Sequence, residues 1–308
     1  MDSNEVVNAF QNDSLGSDDA VGIANKIKKG ELSASLVTQD AIERAKAVNP
    51  KLNAITVENF DLARTNSEKP FAGFFQGVPT FIKDTDEVPG LPLYLGSRSL
   101  PGEPSDKYSK AAKQIIDTGL NCLGTTTTPE FGLTGTTESL RFGATCNPWN
   151  TAYSTGGSSG GSSALVAAGV IPIAHANDGA GSIRIPASCC GLVGLKASRG
   201  RIKDKEVPSY LPANILHDGV VTRSVRDTWA FHSEIEKNIP ATEFPPIGNI
   251  SESFPKSLKI AVLTENCLGE DSSAELVKAT HDVAKLCESL GHEAVSYTHL
   301  RAHETYDH

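Results

Sequence analysis

The chain has 308 residues, 39% of them hydrophobic and 21% charged, with 28 basic side chains against 37 acidic ones for a net charge of −9. That composition is ordinary for a globular enzyme with a sizeable core. The acidic balance, without a basic cluster or interleaved aromatics, argues against a nucleic-acid or anionic-membrane surface. The opening MDSNEVVNAFQNDSLGSDD is polar, and no apolar run approaches membrane-spanning length, so a cytoplasmic location is the expectation. Six cysteines (122, 146, 189, 190, 267 and 287) lack the spacing of a disulfide framework or a metal knuckle, and read as free, mostly buried thiols.

Taken in order, Ser17 is a candidate cap for a helix over SDDAVGIANKIKKG. Ser33 is one for a second helix, in which Val37, Ala41, Ala45 and Val48 recur at helical spacing. Asn49-Pro50 is expected to end that second helix, because a residue before proline is pushed out of helical geometry. A weaker helix around Glu58 to Arg64 leads into GVPTFIKD, whose apolar stretch delivers Lys83 to a strand edge or the following loop. Ser109 to Gly119 reads as helix, and NCLGTTTTPEFG as a short strand followed by a polar loop.

From Thr155 to Lys196 the run TGGSSGGSSALVAAGVIPIAHANDGAGSIRIPASCCGLVGLK holds two glycine-serine turns around an apolar, strand-like segment. Gly/Ser composition alone would describe a flexible linker, but the first turn runs straight into helix-like ALVAAG. Glycine-rich backbone exposes several N–H groups at one point, and the serines offer hydroxyl nucleophiles or proton relays. Further on, LKIAVL (258–263) reads as a buried strand. Ser272 and Glu275 form a capping box before a helix with Leu276, Val283, Cys287 and Leu290 on one face, ended by Gly291. Helices alternating with short strands predict a layered α/β domain.

Three separated residues carry a resemblance to the amidase signature family: Lys83 in GVPTFIKDTDEVPG, Ser158 in GGSSGG and Ser182 in DGAGSIRIP, 75 and 24 residues apart. Ala180 departs from it, standing where many members carry Gly. The resemblance implies an α/β amidase signature fold, a mixed central sheet covered by helices, incomplete at the C-terminus, and hydrolysis of a carboxamide without metal or other cofactor. It implies a Ser-Ser-Lys triad in which Ser182 attacks and forms an acyl-enzyme, Ser158 relays the proton and Lys83 is the base. A lysine can do this only if burial lowers its pKa. The N–H groups of Gly179, Ala180, Gly181 and Ser182 would form the oxyanion hole. Asp178 and Arg184 would brace the loop, and Ser159 would flank the relay. If position 180 required positive φ, its Cβ would cost about 1 kcal/mol or more.

Among family members the second turn resembles small or cyclic amide hydrolases, including the 6-aminohexanoate-cyclic-dimer hydrolases, so the expected partner is a small-molecule amide, with no nucleic acid or membrane. A homodimer is a further expectation. GGSSG at 156–160 also satisfies the α/β-hydrolase elbow, but the polar NPWNTAYST precedes it where a buried strand is required, and His217, His232 and His281 lie in no matching motif. Cys189 and Cys190 read as small packed residues, His175 as a hydrogen-bonded, partly buried one, and Lys196 as structural. After GHEAV, a strand start, SYTHLRAHETYDH departs into a His-rich tail resembling translated sequencing adapter. The expectation is a truncated catalytic domain over residues 1–295 and a non-native tail over 296–308, whose histidines are not metal ligands. A catalytically inactive fragment or binding protein is the alternative.

Overall fold

The computed structural model describes residues 4–198, 200–202, 215–238, 244–248, 257–265 and 269–296. They fall into two compact units, residues 1–249 and 250–308.

The first unit opens with α1 (Ala20–Lys28) and α2 (Ala34–Leu52). Helix α1 is capped by Asp19, whose carboxylate accepts the Gly22 N–H, rather than by Ser17. The reason is tertiary: the buried Asp227 carboxylate takes the Ala20 and Val21 N–H groups, fixing where the helix starts. Ser33 caps α2, which continues through Pro50 to Leu52 and ends on Asn53 in the left-handed region. In the last turn proline removes only one N–H, and the Asn49 side chain instead accepts the N–H groups of Ala54 and Ile55. Buried Arg44 on α2 ties the N-terminal segment down, bonding the Asp13 carboxylate and the Gly169 carbonyl.

Strand β1 (Ile55–Glu58) precedes α3 (Phe60–Ser67), β2 (Pro79–Lys83), α4 (Lys110–Asp117) and β3 (Asn121–Thr126). The three strands form a mixed sheet in the order β1-β3-β2, with β2 parallel and β1 antiparallel to β3. Every residue of β2 is buried, and Phe81 and Ile82 are fully so. Burial of such side chains contributes roughly 1.5–3 kcal/mol each. Two short hairpins follow, β4 (Glu138–Ser139) with β5 (Gly143–Ala144) and β6 (Cys146–Asn147) with β7 (Asn150–Ser154).

Helix α5 (Gly160–Ala167) is buried along its whole length. It leads to β8 (Ile173–Asp178), α6 (Arg184–Cys190), β9 (Val193–Gly194), β10 (His217–Thr222) and α7 (Val225–Ile235). Strands β8, β10 and β9 make a second, antiparallel sheet with β10 in the middle. Strand β2 of the first sheet lies beside β8: Thr80 Oγ1 donates to the Ile173 carbonyl at 2.9 Å, and the Lys83 N–H to His175 Nδ1 at 3.1 Å.

The glycines that open α5 are there for packing, not for slack. A Cβ on Gly161 would stand 2.4 Å from Thr127 Oγ1 and 2.6 Å from the Ala54 carbonyl oxygen. Gly161→Ala is therefore expected to destabilise the unit by about 2 kcal/mol or more through overpacking, a Tm drop of roughly 5 °C or more by calorimetry. An unchanged Tm would show that this turn yields after all.

In the second unit β11 (Lys259–Val262) and β12 (Glu293–Ser296) pair in parallel across α8 (Ala274–Ser289). The cap of α8 is Ser273, one residue beyond the expected Ser272, because its hydroxyl is the one that accepts the Leu276 N–H. The expected buried strand at 258–263 is only half-buried and exposed in alternation, since the unit covers neither of its faces fully. Of the segment 296–308, Ser296 is described as the end of β12; the rest lies outside the described residues.

Candidate active site

Lys83 is the last residue of β2, and its side chain is fully buried. Its Nζ lies 2.7 Å from Ser158 Oγ and 2.6 Å from Asn177 Oδ1. Ser158, 1% exposed, sits in the turn between β7 and α5, and the Gly157–Ser158 peptide bond is cis. That turn is held by threonine hydroxyls from neighbouring loops. Thr128 Oγ1 donates to the Ser158 carbonyl at 3.0 Å, and Thr137 Oγ1 donates to the Gly156 carbonyl at 2.9 Å while accepting the Gly160 N–H. A Cβ on Gly157 would lie 2.7 Å from the Thr136 carbonyl oxygen, so the close approach needs glycine. Ser159 stitches the turn to the end of β8, donating to the Asn177 carbonyl and accepting its N–H.

Ser182 follows β8 on the second turn and is half-buried. This turn is shaped around Asp178. Arg184 grips that carboxylate with two bonds, Nε to Oδ2 at 2.9 Å and Nη2 to Oδ1 at 3.0 Å. The Gly181 N–H donates to Oδ1 at 2.7 Å and the Ile183 N–H to Oδ2 at 3.2 Å. Burial works against the charge of Asp178, but Arg184 and these N–H groups outweigh it and bring its pKa down to about 2.

Two observations bear on the expected oxyanion hole. The Gly181 N–H is already spent on Asp178, so of the four expected oxyanion donors it is the one turned to another acceptor. Ala180 is not among the residues with positive φ, whereas Gly181 has φ +123° and its Cβ position would lie 2.7 Å from the Ile185 side chain. The conformation that demands glycine falls at 181, and Ala180 carries no backbone strain of that kind.

Ser158, Asn177, Gly179, Ala180 and Ser182 all line one cavity of about 730 Å3. Its remaining walls include Leu95, Phe131, Leu133, Ile185, Ile215 and Leu216, and its described lining carries no charged side chain. No cysteine is among its described lining residues, and Cys190 is buried, which pushes its pKa up to about 12. Cys189, expected to be packed, is exposed, because it faces outward from the last turn of α6. His217 and His232 are buried on β10 and α7, and burial holds both rings down at about 4. Lys196 bonds the adjacent Ala197 carbonyl.

His175, expected to be partly buried, is fully buried. Its Nδ1 accepts the Lys83 N–H and its Nε2 faces Asp218 Oδ1 at 3.2 Å. Ligand-type atoms of Asp86, His175 and Asp218 lie within 4.8 Å of one another. As a metal site the group fits poorly: Nδ1 is taken by backbone, and Asp86 accepts the Thr85 and Ser109 hydroxyls. It reads as a buried hydrogen-bond cluster beneath β2. Asn177 was not singled out from the sequence, where nothing in HAND distinguishes it from other strand-end polar residues.

The Amidase family model matches residues 36–307. The chain belongs to the amidase signature family. Among amidase relatives, the AmiC protein of Mycobacterium tuberculosis is 45% identical over 295 residues, covering 95% of this chain and 62% of its own length. The 6-aminohexanoate-cyclic-dimer hydrolase of Paenarthrobacter ureafaciens is 39% identical, covering 89% of this chain and 58% of its own. The solved structure of 6-aminohexanoate cyclic dimer hydrolase complexed with substrate superposes with a TM-score of 0.81 at 36% identity, over 91% of this chain and 60% of that one. The family's α/β fold is therefore present, and the chain spans about three-fifths of the length of these amidases.

Proposed function

We propose that this protein hydrolyses a carboxamide through a Ser182 acyl-enzyme, with Ser158 as proton relay and Lys83 as base. The observation that carries the reading is the 2.7 Å approach of a fully buried lysine amine to Ser158 Oγ, in a turn whose serine shares one cavity with Ser182. Burial disfavours the ammonium form and so favours a neutral amine able to accept a proton. Ser182 Oγ attacks the carbonyl carbon; its proton passes to Ser158 and the Ser158 proton to Lys83. The N–H groups of Gly179, Ala180 and Ser182 are the donors left for the oxyanion. Collapse breaks the C–N bond, and the amine leaves with the proton returned along the same relay. Water, activated in turn, attacks the acyl ester and releases the carboxylic acid and free Ser182.

The walls point to the substrate. A cavity bounded by aliphatic and aromatic side chains, with hydroxyl and amide groups but no charge in its described lining, favours an uncharged amide with apolar flanks. The named activity of the cyclic-dimer hydrolases is in keeping with this, and a small cyclic or acyl amide is the substrate proposed here.

The test is covalent labelling with a fluorophosphonate probe, the adduct located by peptide mass spectrometry. An adduct on Ser182 is expected. Folded protein that takes no label would favour the alternative of a binding protein or inactive piece, which the chain's three-fifths span of its relatives motivates.

A further inference from the structure

Asn177 is the last residue but one of β8 and lies beside Ser158, and its side chain makes two bonds that fix which way the amide points. Its Nδ2 donates to Thr85 Oγ1 at 2.7 Å, and Thr85 Oγ1 in turn donates to the Asp86 carboxylate at 2.9 Å. A carboxylate only accepts, so the threonine hydrogen is committed to Asp86 and its oxygen must receive the amide N–H. The amide oxygen is thereby turned to Lys83 Nζ, 2.6 Å away. A neutral amine has two hydrogens and one lone pair. One hydrogen held by Asn177 Oδ1 restricts how the amine can rotate and lets its lone pair be presented to Ser158 Oγ, 2.7 Å away.

We propose that Asn177 is a positioning residue for the relay: its uncharged oxygen orients the Lys83 amine toward Ser158 without stabilising the ammonium as a carboxylate there would. This rests on the reading of Lys83 as base. Titratable groups near Lys83 are Asp84 and Asp86 just beyond β2, His175 and Asp178 on β8, and Asp218 on β10. Asp84 accepts the Tyr94 and Gly96 N–H groups, Asp86 the Thr85 and Ser109 hydroxyls, Asp178 the Arg184 guanidinium, and Asp218 Oδ1 faces His175. Strand β3 contributes Thr125 and Thr126, and the turn before α5 contributes serines, none of which titrates in this range.

The experiment is the pH dependence of the second-order rate of fluorophosphonate labelling at Ser182, in wild type, Asn177→Asp, Asn177→Ser and Lys83→Met, with thermal unfolding as the check on fold. A carboxylate at 2.6 Å raises the pKa of the amine by one unit or more. Asn177→Asp should therefore move the acidic limb to higher pH by at least one unit, about a tenfold loss on that limb, with recovery toward the wild-type plateau in alkali. Asn177→Ser, too short to reach the amine, should label at least about tenfold more slowly at every pH. An Asn177→Asp profile that superimposes on wild type, or an Asn177→Ser rate equal to wild type, overturns the proposal. Should Asn177→Asp fail to fold, the serine variant alone decides. Lys83→Met separates the two readings. If it labels as fast as wild type, the base assignment itself has failed; if it is inert while the Asn177 variants match wild type, only the role of Asn177 falls.

Discussion

Ser182→Ala is expected to take amide turnover down to background, by a factor of about 10⁴ or more, and to abolish fluorophosphonate labelling while leaving Tm within about 1 °C. The expectation separates chemistry from architecture. The turn holding Ser182 is shaped by Asp178, which binds the Gly181 and Ile183 N–H groups and the Arg184 guanidinium, and none of those bonds involves the Ser182 hydroxyl. Removing one oxygen from a half-buried position therefore costs little stability. Steady-state turnover of any amide the wild type cleaves, read beside circular dichroism, checks both halves. Retained turnover would move the nucleophile elsewhere, with Ser158 the next hydroxyl on the cavity wall.

Lys83→Met should have a comparable effect and a different pH signature. Methionine keeps most of the volume of a fully buried side chain, so the core beneath β2 stays filled while the amine disappears. With no base behind Ser158, turnover should fall by roughly 10³-fold or more. On the proposed mechanism the reactive form is the neutral amine, so the wild-type rate should fall as pH drops and the amine is protonated. The residual rate of Lys83→Met should lack that acidic limb, hydroxide dependence aside. A limb of the same midpoint in both proteins would assign it to another group.

Much of this arrangement was legible in the chain because it rests on local chemistry. The apolar stretch of GVPTFIKD places Lys83 at a strand edge or the following loop, and Lys83 is the last residue of the all-buried β2. Ser33 caps the helix expected of it, and the helix expected over Ser109 to Gly119 forms as α4, with Ser109 outside it as its cap. What escaped was set by partners distant in sequence. Asp227, more than two hundred residues away, decides that α1 starts at Ala20. The side chain of Asn49 answers the N–H groups beyond α2 and lets the helix run past Pro50. At the site, glycines mark the two turns, but the roles of their N–H groups depend on where Asp178 points. Asn177 gains its place only once β8 lies beside β2, which no short window of sequence displays.

The division of labour in this site has a consequence for how such a protein can change. Lys83 and Asn177 stand at the ends of the neighbouring strands β2 and β8, and Ser158 in a turn so tight that added atoms collide. Leu133 and Ile215, by contrast, project from loops with 80% and 51% of their surface exposed. The first group sits at packed positions that tolerate only substitutions close in size and shape, while substitutions at the second should alter what the cavity admits and leave the fold indifferent. On the proposed reading, selection could exchange one amide for another by editing rim residues, and a directed-evolution library aimed at new substrates belongs at 131–134 and around 215, with the strand ends left alone.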